Sequence, residues 1–240
     1  MIRLLFTVGA VLSIMAVSAQ DKQVNDPNAE IRNVGAFNGV SVSGAIELFV
    51  SQGPQKVVVS ASEKSYVDEI ITEVKGGVLY IRFKSEKSWW SDQWNTTGRK
   101  YRAYVSAEQF NKISLAGSGN IRIEGLLKAD NLEVQLSGSG NILGNVDAQT
   151  LGIRQSGSGN TKLSGAARKV EFSCSGSGNV NCFDLIADDC EVRISGSGNA
   201  EVSVNRELSA SISGSGNIRY KGTGNLVRAN TAGSGKIRKI

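Results

Sequence analysis

A four-residue phrase, Gly-Ser-Gly-Asn, recurs through the second half of this 240-residue chain and constrains its fold more than any other feature. Successive copies begin 18 to 21 residues apart. A fixed period of this length is typical of a repeat architecture in which each unit packs on its neighbours. Six copies begin at Gly117, Gly138, Gly157, Gly176, Gly196 and Gly214, and a variant ending in Lys begins at Gly233.

Apolar and polar residues alternate on both sides of each phrase. Leu132, Val134 and Leu136 precede one copy, and Ile121 and Ile123 follow another. Alternation with period two predicts β-strands with one buried face. We therefore predict an all-β fold: a parallel β-helix or β-solenoid with coils of about 19 residues, long enough for two or three short strands and their corners.

The phrase itself predicts a tight corner, because glycine tolerates positive φ and the close approach of another backbone. We expect corner glycines such as Gly159 to adopt positive φ. The asparagines are predicted to stack as a structural ladder along the corner. Strand parity directs them outward, whereas a bend at the glycines would turn them inward, and both arrangements stay open. The ladder residues are Asn120, Asn141, Asn160, Asn179, Asn199 and Asn217.

The first half of the chain lacks the phrase but contains strand-like runs. We predict a single β-solenoid domain over residues 34–240, with an irregular β cap at 34–112 and regular repeats at 113–240. The predicted cap strands are Val40–Val50, Lys56–Val59, Val78–Phe83 and Tyr101–Val105, with one helical turn within Ser65–Ile71.

The N-terminus resembles a secretory signal peptide. Arg3 precedes an apolar run from Leu4 to Val17, and small residues lead to a predicted cleavage site after Ala19. We predict a signal peptide at 1–19, a flexible leader at 20–33 and no transmembrane segment in the mature chain. The protein is then exported to the periplasm, the outer cell surface or the medium.

The composition excludes several kinds of chemistry. The chain contains no histidine, which removes Ser-His and Cys-His nucleophile pairs and most zinc sites. The phrase lacks the lysine of a phosphate-binding loop and the aspartate of calcium-binding repeats. We predict no metal, no cofactor, no catalytic residue and, at a net charge of only +5, no nucleic-acid partner. The basic residues near the C-terminus either protect a terminal strand or face an anionic surface.

Two clusters are candidates for function or packing. Cys174, Cys182 and Cys190 fall at core positions of the repeat, and we expect them to be buried and reduced, with an internal bridge as the alternative. Trp89, Trp90 and Trp94 lie in one polar segment between two strands. They are candidate ligand-binding residues for a glycan or a surface protein, or else they pack over an open end of the column.

The acidic group Asp184, Asp188, Asp189 and Glu191 is a candidate carboxylate site of a polysaccharide-acting enzyme, although alternating charges of this kind ordinarily face solvent. We therefore expect an exported, non-enzymatic binding protein. A polysaccharide-acting enzyme and a purely structural envelope component are the alternatives.

The order of the motifs resembles one known family. The line Phe37-Asn38-Gly39-Val40-Ser41-Val42-Ser43-Gly44, then Thr72-Glu73-Val74 and Gly77-Val78-Leu79-Tyr80-Ile81, then Gly-Ser-Gly-Asn-Ile units, is similar to the head GIN domain family, mostly from Bacteroidetes-type bacteria. The resemblance runs from Val34 to Tyr220. It implies an exported β-helical protein, a candidate autotransporter adhesin head, and it transfers no catalytic residue.

Overall fold

The protein is a β-solenoid of about seven turns with coils about 19 residues apart, which confirms the predicted fold. The structure is a computed structural model and describes residues 26, 28–84 and 98–240. The predicted signal peptide lies outside the described residues. The elements are β1 Glu30–Ile31, β2 Gly39–Ser43, β3 Ile46–Gln52, β4 Lys56–Ala61, α1 Lys64–Val67, β5 Ile70–Lys75, β6 Val78–Phe83, β7 Tyr101–Ala107, β8 Lys112–Gly117, β9 Asn120–Gly138, β10 Asn141–Gly157, β11 Asn160–Gly176, β12 Asn179–Gly196, β13 Asn199–Gly214, β14 Asn217–Lys221, β15 Asn225–Ala232 and β16 Lys236–Lys239.

Each strand from β9 to β13 forms one coil and pairs in parallel with the next. Asn120 is opposite Asn141, and Gly138 is opposite Gly157. The phrase therefore joins consecutive coils at the same corner of every layer. Apolar positions are superposed along the column, as where Val134 aligns with Ile153 and Phe172. One buried cluster extends from Phe37 to Tyr220, because strand alternation turns these side chains inward in every coil.

The two glycines of a phrase serve different purposes. The first has positive φ, +107° at Gly157. The second, Gly159, has no positive φ, so the prediction that it adopts positive φ is wrong. Its constraint is space: a Cβ built on Gly159 would lie 2.3 Å from the carbonyl oxygen of Gly140 in the preceding coil. Glycine is required there because two backbones touch.

The part of the cap next to the repeats consists of three layers of short strands, and each layer turns at the corner where the Gly-Ser-Gly-Asn phrase lies in the later coils. The strand predicted over Val40–Val50 is wrong as a single element, since Gly44, with φ of +90°, separates β2 from β3. β2 pairs in parallel with β6 and β8, and β3 pairs in parallel with β7 and β9. The β2–β3 layer is thus inserted between β6–β7 and β8–β9, although it comes first in the chain.

An antiparallel layer closes the N-terminal end of the column. β4 pairs with β7, and β5 pairs with β6, both antiparallel, with the short helix α1 between β4 and β5. β1 adds antiparallel to β4, and the Asp26 carboxylate accepts a hydrogen bond of 3.0 Å from Arg102. The end of the predicted flexible leader is therefore packed against the cap.

The three cysteines are buried in the core and form no disulfide. Cys182 is opposite Val202, and Cys190 is opposite Val170 and Leu208 in the adjacent coils. Burial raises the pKa of Cys182 to about 12 and also raises the pKa values of Cys174 and Cys190. These thiols are core residues rather than nucleophiles, since a thiol must ionise to react.

Replacing Gly159 with Ala is expected to lower the free energy of unfolding by about 1–3 kcal/mol, because two backbones must separate to admit the methyl group. Gly152→Ala is the matched control. Gly152 has no positive φ, and a Cβ placed on it would have no atom nearer than 4.0 Å. The control should change stability by less than about 1 kcal/mol. Urea denaturation measures both, and equal losses would contradict the close-contact explanation.

The buried thiol of Cys182 predicts a pH-dependent stability. In the folded protein the pKa of this thiol lies above its ordinary value of 9.0. The thiol therefore contributes its full share of the free energy of unfolding below pH 9. This share is lost as the pH rises from 9 toward 12, because in that range the thiol ionises in the unfolded protein but not in the folded one. Wild-type protein should lose up to about 1.4 kcal/mol per pH unit more than Cys182→Val in this window. Urea denaturation at pH 8, 9, 10 and 11 makes the comparison, and parallel curves for the two proteins would contradict it.

Candidate functional site

A row of asparagine side chains runs along the outside of the corner. The Nδ2 of each donates to the Oδ1 of the asparagine one coil earlier, at 2.8 Å from Asn141 to Asn120 and 3.1 Å from Asn160 to Asn141. The three later bonds measure 3.3, 2.9 and 3.0 Å. The side chains are partly or fully exposed, as strand parity predicts and not as an inward bend would place them. The donors of these later bonds are Asn179, Asn199 and Asn217.

All five amide bonds point in the same direction. The amide nitrogens face the cap and the carbonyl oxygens face the C-terminal coils. In the strand register Glu47 occupies the row position before Asn120, and Lys236 occupies the position after Asn217. A negative residue thus stands at the amide-nitrogen end and a positive residue at the carbonyl end. This placement stabilises aligned dipoles for the same reason that charges stabilise helix ends.

A second exposed row lies two residues further along each strand, on the same outer face. Arg122, Lys162 and Arg219 belong to it. At its N-terminal end Phe49 stacks on Tyr104, with ring centroids 5.0 Å apart and an interplanar angle of 10°. We call this surface the amide face. It comprises the asparagine row, the second row of Arg122, Leu143, Lys162, Asn181, Glu201 and Arg219, and the Phe49–Tyr104 pair.

Ion pairs fix the N-terminal end of the amide face. The Glu47 carboxylate lies 3.6 Å from Nε of Arg122 and 3.5 Å from Nε of Arg102. Arg102 also binds Asp26, and this hydrogen bond raises the pKa of the guanidinium. The aromatic pair is therefore framed by guanidinium groups whose positions the strand pairing sets.

A groove of about 520 Å³ occupies the C-terminal end of the amide face. Its wall includes Asn199, Asn217, Arg219, Lys236 and Arg238. Arg219 forms an ion pair with Glu201, which also lines the groove. A second groove of about 590 Å³, lined largely by carboxamide and carboxylate side chains such as Asn38, Gln109 and Asp130, lies away from this face.

The predicted tryptophan site, Trp89, Trp90 and Trp94, lies outside the described residues. The described residues on either side of the tryptophans in the sequence lie at the corner between β6 and β7. Phe83 at the end of β6 packs edge to face on Tyr101 of β7, with centroids 4.7 Å apart. Burial and a hydrogen bond from its hydroxyl to Glu69 raise the pKa of Tyr101 to about 12. The described residues that flank the tryptophans in the sequence, Phe83 and Tyr101, thus lie next to the N-terminal end of the amide face.

The acidic group on β12 has the character of a solvated, ion-paired surface. Nε of Arg206 donates to Asp189 at 2.7 Å, and Arg193 pairs with Glu191. The bond from Arg206 lowers the pKa of Asp189. The general acid of a glycosidase needs a raised pKa, and the pKa of Asp189 is lowered, so Asp189 is unsuited to that role. Asp184 and Asp188 are exposed.

The described residues contain neither a metal-binding cluster nor a membrane-spanning helix. Within residues 26, 28–84 and 98–240, no three His, Cys, Asp or Glu side chains form a group that could hold a metal ion. In the same part of the chain no helix has the length and hydrophobicity to span a membrane.

Sequence reasoning missed the Phe49–Tyr104 pair. The two residues are far apart in the chain and become neighbours only through the β3–β7 register. Each nevertheless occupies a polar-side position of an alternating strand, and an aromatic residue at such a position was the available signal.

Asn160→Ala should destabilise the fold about twice as much as Asn120→Ala. The first removes two amide bonds of the row, and the second removes one. Each bond is worth roughly 0.5–1.5 kcal/mol. Urea denaturation of both variants tests this, and equal losses would contradict a contribution that grows with the number of amide bonds.

Comparison with known proteins gives a family and a set of similar folds. A crystal structure of a "putative adhesin" from Bacteroides fragilis is 24% identical with a TM-score of 0.80, covering 88% of this chain and 96% of the other. A "putative lipid binding protein" from Parabacteroides distasonis is 23% identical with a TM-score of 0.70, covering 90% and 98%. A "putative adhesin" from Parabacteroides merdae is 20% identical with a TM-score of 0.65, covering 88% and 95%. A comparison with curated proteins gives no match.

The solved structures share the solenoid fold with this chain. The family model described as "putative auto-transporter adhesin, head GIN domain" matches residues 36–224, which include both the cap and the amide row. The resemblance in the motifs is thereby confirmed, and the chain belongs to the head GIN domain family.

Proposed function

We propose that this protein is an exported, non-enzymatic, adhesin-like component of the bacterial envelope that binds a glycan or a surface protein through its amide face. The observation that carries the proposal is the meeting of an amide row, guanidinium groups and a stacked aromatic pair on one exposed surface. Membership of an adhesin-like family supports a binding role.

The amides retain hydrogen-bonding capacity after they have bonded to each other. A carboxamide has two N–H donors and two acceptor lone pairs, and the row uses one of each at Asn141, Asn160 and Asn179. At Asn199 the oxygen also accepts from the backbone N–H of Asn217, so that side chain keeps only a donor. Sugar hydroxyls both donate and accept, so they match the remaining groups. Repetition at the inter-strand spacing of about 4.8 Å lets an extended ligand make many weak contacts at once.

Trp89, Trp90 and Trp94 are proposed as aromatic contacts to the same ligand. In the sequence they lie between β6 and β7, and β7, which follows them, pairs with the strand that carries Glu47 and Phe49. An aromatic ring offers a large contact area at low conformational cost and packs well on the apolar face of a sugar.

The alternatives have weaker support. For a polysaccharide-acting enzyme, the acidic group on β12 is ion-paired, and the shift in the pKa of Asp189 is downward. A purely structural envelope component would explain the amide row but not the guanidinium groups and the partly exposed stacked rings beside it.

The amide face can be tested with arginines that match in exposure and pairing. Arg122 and Arg219 lie on the amide face, and Arg154 and Arg193 lie on the run before the corner; each pairs with a glutamate. A glycan array first identifies a ligand. We expect Arg122→Ala with Arg219→Ala to weaken its binding at least tenfold, and Arg154→Ala with Arg193→Ala to leave it within about twofold.

Equal effects of the two double variants would contradict the assignment to this face. Because surface ion pairs contribute about 0–1 kcal/mol, all variants should keep nearly the same melting temperature. One structural neighbour is named as a lipid-binding protein, so phospholipid vesicles are the second probe. A turnover assay on every ligand found tests the enzyme alternative directly.

Alanine at Trp89, Trp90 or Trp94 separates recognition from packing. If these residues bind ligand, at least one substitution should weaken binding by about 2 kcal/mol or more with little change in melting temperature, and ligand should alter the fluorescence. A loss of about 3–5 kcal/mol of stability, with poor acrylamide quenching of the native protein, would instead assign the tryptophans to packing.

A further inference from the structure

The positive charge of this protein is concentrated in its last coils. After Glu207 the sequence contains no Asp or Glu but six Lys and Arg residues, which exceeds the net charge of +5 for the whole chain. These residues are Arg219, Lys221, Arg228, Lys236, Arg238 and Lys239.

Three of these cations converge on the groove at the C-terminal end of the amide face. Arg219, Lys236 and Arg238 line it together with a single carboxylate, Glu201, giving the groove a net charge of +2. Glu201 is engaged by Arg219. Within residues 98–240, neither Lys236 nor Arg238 takes part in an ion pair. The groove therefore presents two cations that the described part of the protein leaves uncompensated.

The cations and the amides belong to one continuous surface. Lys236 takes the row position after Asn217, and Arg238 takes the second-row position after Arg219. The last carbonyl of the amide row faces this end, but its partial charge is smaller than the unit charge of Lys236. An extended ligand that follows the amides would thus meet a cationic terminus.

We propose that this groove binds the anionic groups of an acidic polysaccharide, and the inference rests on the amide face being the ligand surface proposed above. The amides match hydroxyl groups, and the planar guanidinium of Arg238 matches a carboxylate or sulfate in two parallel hydrogen bonds. A membrane surface is less suited, because the apolar groove residues Val180 and Ile218 are buried beneath the polar rows.

The test uses the full chain with polygalacturonate as the acidic probe and galactan as the neutral one. Polygalacturonate should bind at least tenfold more tightly, and its affinity should fall as salt rises. Lys236→Ala with Arg238→Ala should remove at least tenfold of that affinity. Arg228→Ala with Lys239→Ala is the matched control: it makes the same charge change on β15 and β16, at residues that do not line the groove, and should cost less than about threefold.

If the two double variants lose the same affinity for polygalacturonate, the binding depends only on the overall positive charge, and the groove is not the binding site. If galactan binds as tightly as polygalacturonate and depends on Arg122 and Arg219, the proposed function stands and the anionic subsite fails. If neither polymer binds, the proposed glycan-binding function and the anionic subsite are both wrong for polysaccharides. Binding of phosphatidylglycerol vesicles through Lys236 and Arg238, without binding of polygalacturonate, would assign the groove to a membrane and overturn the proposal.

Discussion

The close contact between glycine backbones at successive corners is the constraint on which the rest of the structure depends. A Cβ on the second glycine of a phrase would lie 2.2 Å from the preceding coil at Gly140, 2.3 Å at Gly159 and 2.4 Å at Gly198. Only coils in exact register can approach this closely at every corner. Once the register is set, the apolar columns superpose and the asparagines come within hydrogen-bonding distance.

The amide row has both a structural and a chemical consequence. Its bonds share one direction, with Glu47 at the amide-nitrogen end and Lys236 at the carbonyl end, so that neighbouring bonds polarise one another. The same bonds hold each side chain in one orientation while leaving donors and acceptors exposed. A surface ordered in advance loses little conformational entropy on binding, which favours a repetitive ligand over a compact one.

The two ends of the column are protected in different ways. At the N-terminal end, β4 pairs antiparallel with β7 and β5 pairs antiparallel with β6, so the backbone N–H and C=O groups of β6 and β7 have hydrogen-bond partners there. At the other end, β15 and β16 are largely exposed and carry Arg228, Lys236 and Arg238. Charged edge strands resist pairing with other chains. The same charge gives the amide face its polarity, from an aromatic and ion-paired end to a cationic groove.

The sequence by itself determined the parallel solenoid, its period and the positions of its corners, because the same local pattern of glycines and alternating apolar residues occurs in every repeat. It also placed Cys182 and Cys190 in the core through their alignment with Val, Ile and Leu in other coils. Only the tertiary structure decided that the β2–β3 layer lies between two later layers, that Phe49 stacks on Tyr104 and that Gly159 is limited by space rather than by φ. These facts depend on contacts between distant segments of a cap without repeats, and no local pattern encodes such a register.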